Sequence, residues 1–236
     1  MPAPVTHIVL ALLVMPFLPG KNKRDFVLGT SFPDIRYYRV IDRSTSHVPN
    51  PSWQHIVEEK SSFKAGMEFH ALVDLIHDDY VRHHSIVHLL PKQWKSSAHH
   101  FKFFEDMVLY SCVSDWSEIA GYFDTILKEE NEMVSDPRAV IVWHETLKKY
   151  VSQKPGPESV FEMLDVRLPQ WYNFIIRIPV RLNAHFITTT FVTGLNYALV
   201  NTLLVDKIHD FYDDFLQQLD PCGDLKIASD KILLHW

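Results

Sequence analysis

Apolar residues recur at helical spacing along most of this chain, and proline or glycine interrupts the runs at short intervals. The most regular run is Lys64 to His88, in which apolar positions return with the 3.6-residue period of an amphipathic helix. Seven glycines in 236 residues are few for the many tight turns of an all-β protein. The pattern predicts an all-α fold, a single domain over residues 1–236 with roughly eight to ten helices.

Local start and stop signals place the individual helices. Thr6 fits an N-cap for the first helix, Ser114 fits a later one, and Lys154-Pro155-Gly156-Pro157 is the clearest linker. The predicted helices are His7 to Met15, Ser52 to Lys60, Lys64 to His88, Ser96 to Val113, Ser114 to Glu130, Asp136 to Tyr150, Pro157 to Val166, Pro169 to Ile178, Leu182 to Leu219 with a break near Asp206, and Leu225 to His235.

Two apolar stretches resemble targeting or membrane segments. No Lys or Arg precedes the run near the start, and proline interrupts it, so we interpret it as a core helix and expect a cytoplasmic protein. The stretch from His185 to Val205 has no Asp, Glu, Lys or Arg, over nearly the length of a bilayer. Its Thr, Asn and Gly content favours a buried central helix over the alternative, a membrane span.

Charge and cysteine content narrow the class of protein further. A formal charge of −6 without a long run of like charges gives no strong nucleic-acid signature. Cys112 and Cys222 lack a CxxC partner, so they are most simply buried thiols, with a single disulfide as the alternative. Fourteen histidines are well above an ordinary share.

The helix around His70 carries many side chains able to bind a metal ion. His70, Asp74, His77 and His84 fall near one face, because residues four, seven and fourteen apart lie nearly in register. His70 and Asp74 are one turn apart, a spacing at which two side chains converge on one cation. The pair alone is weak evidence for a metal site, since HxxxD also occurs in helices where the two side chains merely share a hydrogen bond.

The order of motifs around this pair resembles the bacterial zinc-dependent phospholipase C family, which shares its all-helical fold with fungal single-strand nucleases. The resemblance covers roughly residues 1–110 and implies a cluster of up to three zinc ions. Its motifs here are Thr6-His7, Gly29-x-x-x-Pro33-Asp34, Ser46-His47 and Gly66-x-x-x-His70-x-x-x-Asp74. It implies as metal ligands His7, Asp34, His47, His70 and Asp74, with Asp34 and Asp74 as candidates to bridge ions.

The chain departs from that family where a later His and an HxxxE pair complete a second metal position. The nearest candidates are His99 or His100 with Glu105. Five residues advance a helix by about 500°, so His100 and Glu105 would not share a face of a regular helix. The reserve ligands are therefore His77, His84, His100 and Glu105, with His83 as a further substitute.

Three histidines and two aspartates from separate segments suit a zinc site that activates water. The sequence therefore predicts a metal-dependent phosphoric-ester hydrolase, with Asp34 and Asp74 as catalytic carboxylates that orient the attacking water or accept its proton. Its substrate would be a phosphoester, and Arg36, Arg39 and Arg43 are candidates to bind the phosphate oxygens. Lipid, nucleotide and small phosphoesters all remain open, as does the oligomeric state.

Two other functions fit the sequence. His77-Asp78 is the dipeptide of HD-type helical phosphohydrolases, with His55 as the upstream histidine. Alternatively, the chain is a helical binding or scaffold protein whose metal site has decayed.

Overall fold

A computed structural model describes residues 2–95, 98–165 and 174–219, apart from the side chains of residues 98–99, 164–165 and 174–184. Within these ranges the regular structure is all helical, as predicted, with twelve α-helices of which nine have seven or more residues. The helices are α1 Pro4–Val14, α2 Lys23–Ser31, α3 Arg43–Ser46, α4 Trp53–Glu58, α5 Ser62–His83, α6 Ala98–Leu109, α7 Trp116–Tyr122, α8 Lys128–Met133, α9 Arg138–Val151, α10 Pro157–Asp165, α11 Phe174–Val200 and α12 Thr202–Leu219.

Helix α1 is a core helix, as the sequence predicted, and almost all of its side chains are buried. It begins earlier than expected, because Pro4 occupies the first turn, where a residue without an N–H costs no hydrogen bond. Thr6 is therefore not its N-cap. The Asp106 carboxylate of α6 accepts hydrogen bonds from the backbone N–H groups of Val5 and Thr6, at 3.0 and 2.8 Å. Asp106 thus satisfies donors that a helix start leaves unpaired.

Helices α2 and α5 cross at very short range, and two glycines make this crossing possible. A Cβ atom on Gly66 would lie 2.2 Å from the backbone oxygen of Phe26, and one on Gly29 would lie 2.0 Å from that of Phe63. Neither distance is compatible with a side chain. The crossing brings the first residues after α2 against the middle of α5, where His70 lies.

Several predicted boundaries shift for local reasons. Helix α5 ends at His83, because Ser85 adopts a left-handed backbone conformation with φ of 52°. Asp115, not Ser114, caps α7 through the backbone N–H groups of Ser117 and Glu118. The predicted segment from Ser114 to Glu130 is two helices, α7 and α8.

The late part of the chain also differs in detail. The break in the long apolar helix falls at Asn201 rather than near Asp206, and the Asn201 side chain accepts the N–H of Leu204 at the start of α12. The linker between α9 and α10 is confirmed. The predicted helix from Leu225 to His235 and the first half of the one from Pro169 to Ile178 lie outside the described residues. The predicted end at Ile178 is wrong, because α11 runs without a break from Phe174 to Val200.

None of the helices that the structure describes is long and apolar enough to cross a membrane. Cys112 is a free, partly buried thiol, and burial raises its pKa to about 12. Cys222 lies outside the described ranges.

Candidate metal centre

Four segments bring the five predicted ligands together. His7 comes from the second turn of α1, and Asp34 from a 3₁₀ helix, Pro33–Tyr38, that follows α2. His47 follows the short helix α3, while His70 and Asp74 lie one turn apart on α5. All but the partly exposed His47 are buried.

The side-chain atoms of these residues form two overlapping groups. His7, His70 and Asp74 each offer a ligand atom within 4.8 Å of the others, and so do Asp34, His47 and His70. Three imidazole Nε2 atoms surround the Asp74 carboxylate, those of His7, His47 and His70 at 3.4, 3.5 and 3.7 Å. Two ligands of a tetrahedral zinc ion with bonds of 2.0–2.1 Å stand about 3.3 Å apart, so this spacing fits ligands of a common ion.

Hydrogen bonds from behind orient two of the imidazoles. The Nδ1 atom of His70 donates to the backbone oxygen of Thr30 at 2.9 Å, which leaves the lone pair of Nε2 facing the centre. The Nδ1 atom of His47 lies 2.9 Å from the Ser46 hydroxyl, which in turn donates to the Arg43 backbone oxygen. His47 therefore presents its Nε2 lone pair to the same centre.

Among the described residues, the ligand atoms facing the centre have no hydrogen-bond partner. These buried atoms are Nε2 of His7, His47 and His70, and both carboxylate oxygens of Asp74; Nδ1 of His7 is also without a partner there. The contacts of 3.4–3.7 Å between imidazole and carboxylate are longer than an ordinary hydrogen bond. Burying so many polar atoms unsatisfied is costly, and a divalent ion would satisfy them together. The residues present thus fit a metal ion of the kind that binds nitrogen and carboxylate oxygen.

The electrostatics of the centre favour the protonation states that a metal ligand needs. Burial and the neighbouring His7 lower the pKa of His70 to about 3, so its imidazole is neutral. Burial alone would raise the pKa of Asp74, but the three surrounding histidines hold it well below its usual range. Burial would likewise raise the pKa of Asp34, yet His70 and Lys102 outweigh this effect and lower it.

The overlap of the two groups limits how the ligands are shared. His70 has one lone pair to offer, because its Nδ1 atom is committed to Thr30. A single ion could bind Nε2 of His70 together with ligands from both groups. A second ion would need a bridging carboxylate, the role expected from the sequence for Asp34 and Asp74.

A cationic border adjoins Asp34. Arg36 places Nη2 3.4 Å from Asp34 Oδ1 and donates to the Tyr37 hydroxyl at 3.1 Å. Lys102, which sequence reasoning did not select, lies on α6 and contributes to lowering the pKa of Asp34. Arg39 and Arg43, predicted with Arg36 as phosphate-binding residues, have exposed side chains. Arg36 is thus the arginine of the three that contacts a predicted ligand.

The reserve ligands lie outside the two groups. Nε2 of His77 is 2.8 Å from Oε1 of Glu105, and both residues are buried. Burial would lower the pKa of His77, but the adjacent Glu105 carboxylate outweighs this effect and raises the pKa. Nε2 of His100 is 2.6 Å from the Thr190 hydroxyl, and His84 is exposed at the end of α5.

His100 and Glu105 therefore form no pair, as their spacing predicted, and Glu105 instead pairs with His77 across α5 and α6. His84 is the C-terminal cap of α5, and its exposed side chain lies outside the ligand groups. The side chain of His99 lies outside the described residues. A second buried His–Glu pair joins α9 to α8, where Nε2 of His144 is 2.7 Å from Oε1 of Glu130, and its spacing of fourteen residues did not predict it.

Sequence reasoning missed two supporting groups. Asp106 holds the start of α1, three residues before His7 along the chain, and also accepts the Thr6 and Tyr150 hydroxyls at 2.8 and 3.0 Å. The backbone oxygen of Thr30 orients His70. No sequence signal marks a backbone oxygen as a hydrogen-bond acceptor. Asp106 is different, because an acidic residue next to Glu105 on an otherwise apolar helix face is a signal that the sequence contains.

The fold and this cluster define an all-α protein with a candidate metal centre. Comparison with known proteins adds no name to that class: no protein-family model, curated protein or solved structure matches the chain.

Proposed function

We propose that this protein is a metal-dependent phosphoric-ester hydrolase that resembles the zinc-dependent phospholipase C family. The observation that carries the proposal is the group of buried, inward-facing imidazole and carboxylate atoms that have no hydrogen bond to any described residue. His70 and Asp74, one turn apart on α5, are its centre. Zinc is the expected metal, because the donors are imidazole nitrogen and carboxylate oxygen.

The residues of the chain divide the work. His7, His47 and His70 would hold the ion through imidazole nitrogen atoms. A bound ion supplies Lewis acidity and lowers the pKa of the attacking water. Asp34 or Asp74, both ionised, would orient that water or accept its proton. Arg36 adds positive charge at the edge of the centre, where a phosphoryl oxygen can reach it.

Elemental analysis of the protein purified without added metal tests the binding step. We expect about one equivalent or more of zinc or another transition metal, and its loss in His47→Ala and His70→Ala. His55→Ala is the matched control, because His55 is 66% exposed and lies outside both ligand groups. Metal below about a tenth of an equivalent, not recovered on titration, would defeat the proposal.

Hydrolysis of chromogenic phosphoesters tests the catalytic step. The metal-loaded protein should release nitrophenol, a chelator should abolish the reaction, and added zinc should restore it. Asp74→Asn should reduce activity more than it reduces metal content, because the amide keeps one ligand oxygen but lacks the negative charge. A protein that binds metal stoichiometrically yet hydrolyses no phosphoester would be a metal-binding protein of another function.

The HD-type alternative has less geometric support. Nδ1 of His77 lies 3.9 Å from Oδ1 of Asp78, while Nε2 pairs with Glu105. His55, its upstream histidine, instead lies 3.4 Å from Glu68. Loss of metal in Asp78→Ala, with metal retained in His47→Ala and His70→Ala, would favour this alternative. A scaffold with a decayed site would hold no metal in any variant.

A further inference from the structure

His7 differs from the other two histidines of the candidate metal centre in how its ring is held. Nδ1 of His47 and Nδ1 of His70 each have a hydrogen-bond partner on the side away from the centre. Nδ1 of His7 has no such partner among the described residues, and its ring is stacked on that of His70, with centroids 4.0 Å apart. Without an orienting hydrogen bond to a described residue, the position of His7 depends on the backbone that carries it.

That backbone is anchored by a carboxylate from a distant part of the chain. Ala3, the N-cap residue of α1, makes no side-chain hydrogen bond to the helix. The N–H groups of Val5 and Thr6 instead donate to Asp106 of α6, at 3.0 and 2.8 Å. His7 comes directly after them, so the carboxylate fixes the start of α1 immediately before this ligand.

Asp106 is itself fully buried, and each of its oxygens accepts two hydrogen bonds. Oδ1 accepts the N–H and the hydroxyl of Thr6, both at 2.8 Å, and Oδ2 accepts the N–H of Val5 and the hydroxyl of Tyr150, both at 3.0 Å. Burial raises the pKa of Asp106 to about 7, against the opposing effect of these hydrogen bonds. Because the donors set the direction of both oxygens, the carboxylate holds the start of α1 in one place relative to α6 and α9.

We infer that Asp106 is a positioning residue for His7, because its carboxylate sets where α1 begins and so brings Nε2 of His7 to the other ligands. The inference rests on the metal centre of the proposed function and adds to it a residue that belongs to neither ligand group. Nε2 of His7 lies 3.4 Å from Oδ1 of Asp74, close to the separation of two ligands on one zinc ion. A shift of α1 by about 1 Å would therefore loosen this ligand.

Zinc affinity, together with the number of imidazoles bound to each zinc ion as counted by X-ray absorption, tests the positioning role. Asp106→Asn keeps the shape of the side chain, but its amide NH₂ faces the N–H of Val5 or Thr6 instead of accepting it. We expect zinc affinity to fall about 10- to 100-fold, the usual range for lost outer-shell groups of metal sites. The imidazole count should fall to that of His7→Ala, whereas a purely structural change would leave it at the wild-type value. Measurements at about pH 8 keep the wild-type carboxylate ionised.

A double-mutant cycle separates positioning from a general loosening of the fold. In the His7→Ala background, Asp106→Asn should lower zinc affinity by less than about threefold further, because the ligand that it positions is already absent. Glu130→Gln is the matched control: Glu130 is a buried carboxylate that accepts the N–H of Leu127 and pairs with His144, outside both ligand groups. It should lower stability but leave zinc affinity and the imidazole count unchanged.

Thr6 keeps the test decisive if Asp106→Asn does not fold. Thr6→Val removes one donor to the carboxylate and keeps the shape of the side chain, so zinc affinity should fall about 3- to 10-fold. Thr6→Ser keeps the hydroxyl and should stay within about twofold of the wild-type affinity. Equal affinities of Thr6→Val and Thr6→Ser would then overturn the inference.

The outcomes distinguish this inference from the proposed function. Unchanged zinc affinity in Asp106→Asn, or an unchanged imidazole count, overturns the positioning role alone. A loss of equal size in the wild-type and His7→Ala backgrounds also overturns it, because the effect would then not pass through His7. A wild-type chain that takes up no metal overturns the proposed function, and the positioning role with it.

Discussion

At the scale of single residues, the centre depends on groups that never face it. The Ser46 hydroxyl and the Thr30 backbone oxygen each lie 2.9 Å from the Nδ1 atom of an imidazole, on the side away from the centre. They determine which nitrogen carries the proton and thus which lone pair is available. Sequence reasoning selected His47 and His70 from their motif positions, but only the structure shows that the Nδ1 atom of each has a hydrogen-bond partner.

Ser46→Ala tests this orienting role. The variant leaves Nδ1 of His47 without its buried acceptor, so we expect zinc affinity to fall about 10-fold or more, as is usual for lost partners of metal-bound histidines. Competition with a chromogenic chelator measures the affinity. Ser46→Thr keeps the hydroxyl and should restore most of it. Equal affinity in wild type and Ser46→Ala would show that the hydroxyl does not position His47.

At the scale of helices, the periodic pattern predicts the elements but not how closely they approach. The sequence gives α1, α5 and α9 to within a few residues, because their apolar spacing is regular and their ends carry proline, serine or polar residues. It does not reveal that Glu105 pairs with His77 or that Lys102 approaches Asp34, since those contacts join α6 to elements distant in sequence. The motif contains Gly29 and Gly66, but only the distances at the crossing of α2 and α5 show that these positions have no room for a side chain.

Gly66→Ala tests the close approach of α2 and α5. Its Cβ would lie 2.2 Å from the backbone oxygen of Phe26, so the helices must separate, at a cost of about 1–3 kcal/mol in the free energy of unfolding. The separation also displaces Thr30 from His70, so zinc affinity should fall as well. Gly121→Ala on α7 is the control: a Cβ there meets nothing within 4 Å, and stability should rise by about 0.5–1 kcal/mol. Chemical denaturation of both variants gives the comparison.

At the scale of the whole molecule, the ligands tie together segments from residue 7 to residue 74, and α6 supports them through Asp106. Metal binding is therefore coupled to the packing of α1, α2 and α5 on one another. A ligand that binds only the folded chain stabilises it by about 2.7 kcal/mol when its concentration is a hundred times its dissociation constant. Without metal, the same buried groups should make stability sensitive to acid.

The metal-free protein should lose stability as the pH falls. The pKa of His70 is about 3 in the folded chain against 6.5 for an unperturbed histidine, so the unfolded chain binds the proton first. The contribution of neutral His70 is present above pH 6.5 and is lost as the pH falls toward 3. It amounts to about 2 kcal/mol between pH 7 and pH 5.

Urea unfolding in the presence of a chelator, at pH 7 and at pH 5, measures this loss of stability. His70→Gln should flatten this dependence, while His55→Gln, exposed to solvent, should keep it. Parallel pH profiles for wild type and His70→Gln would mean that His70 is not held neutral by its surroundings, which would remove one of the electrostatic arguments for a metal ligand at this position.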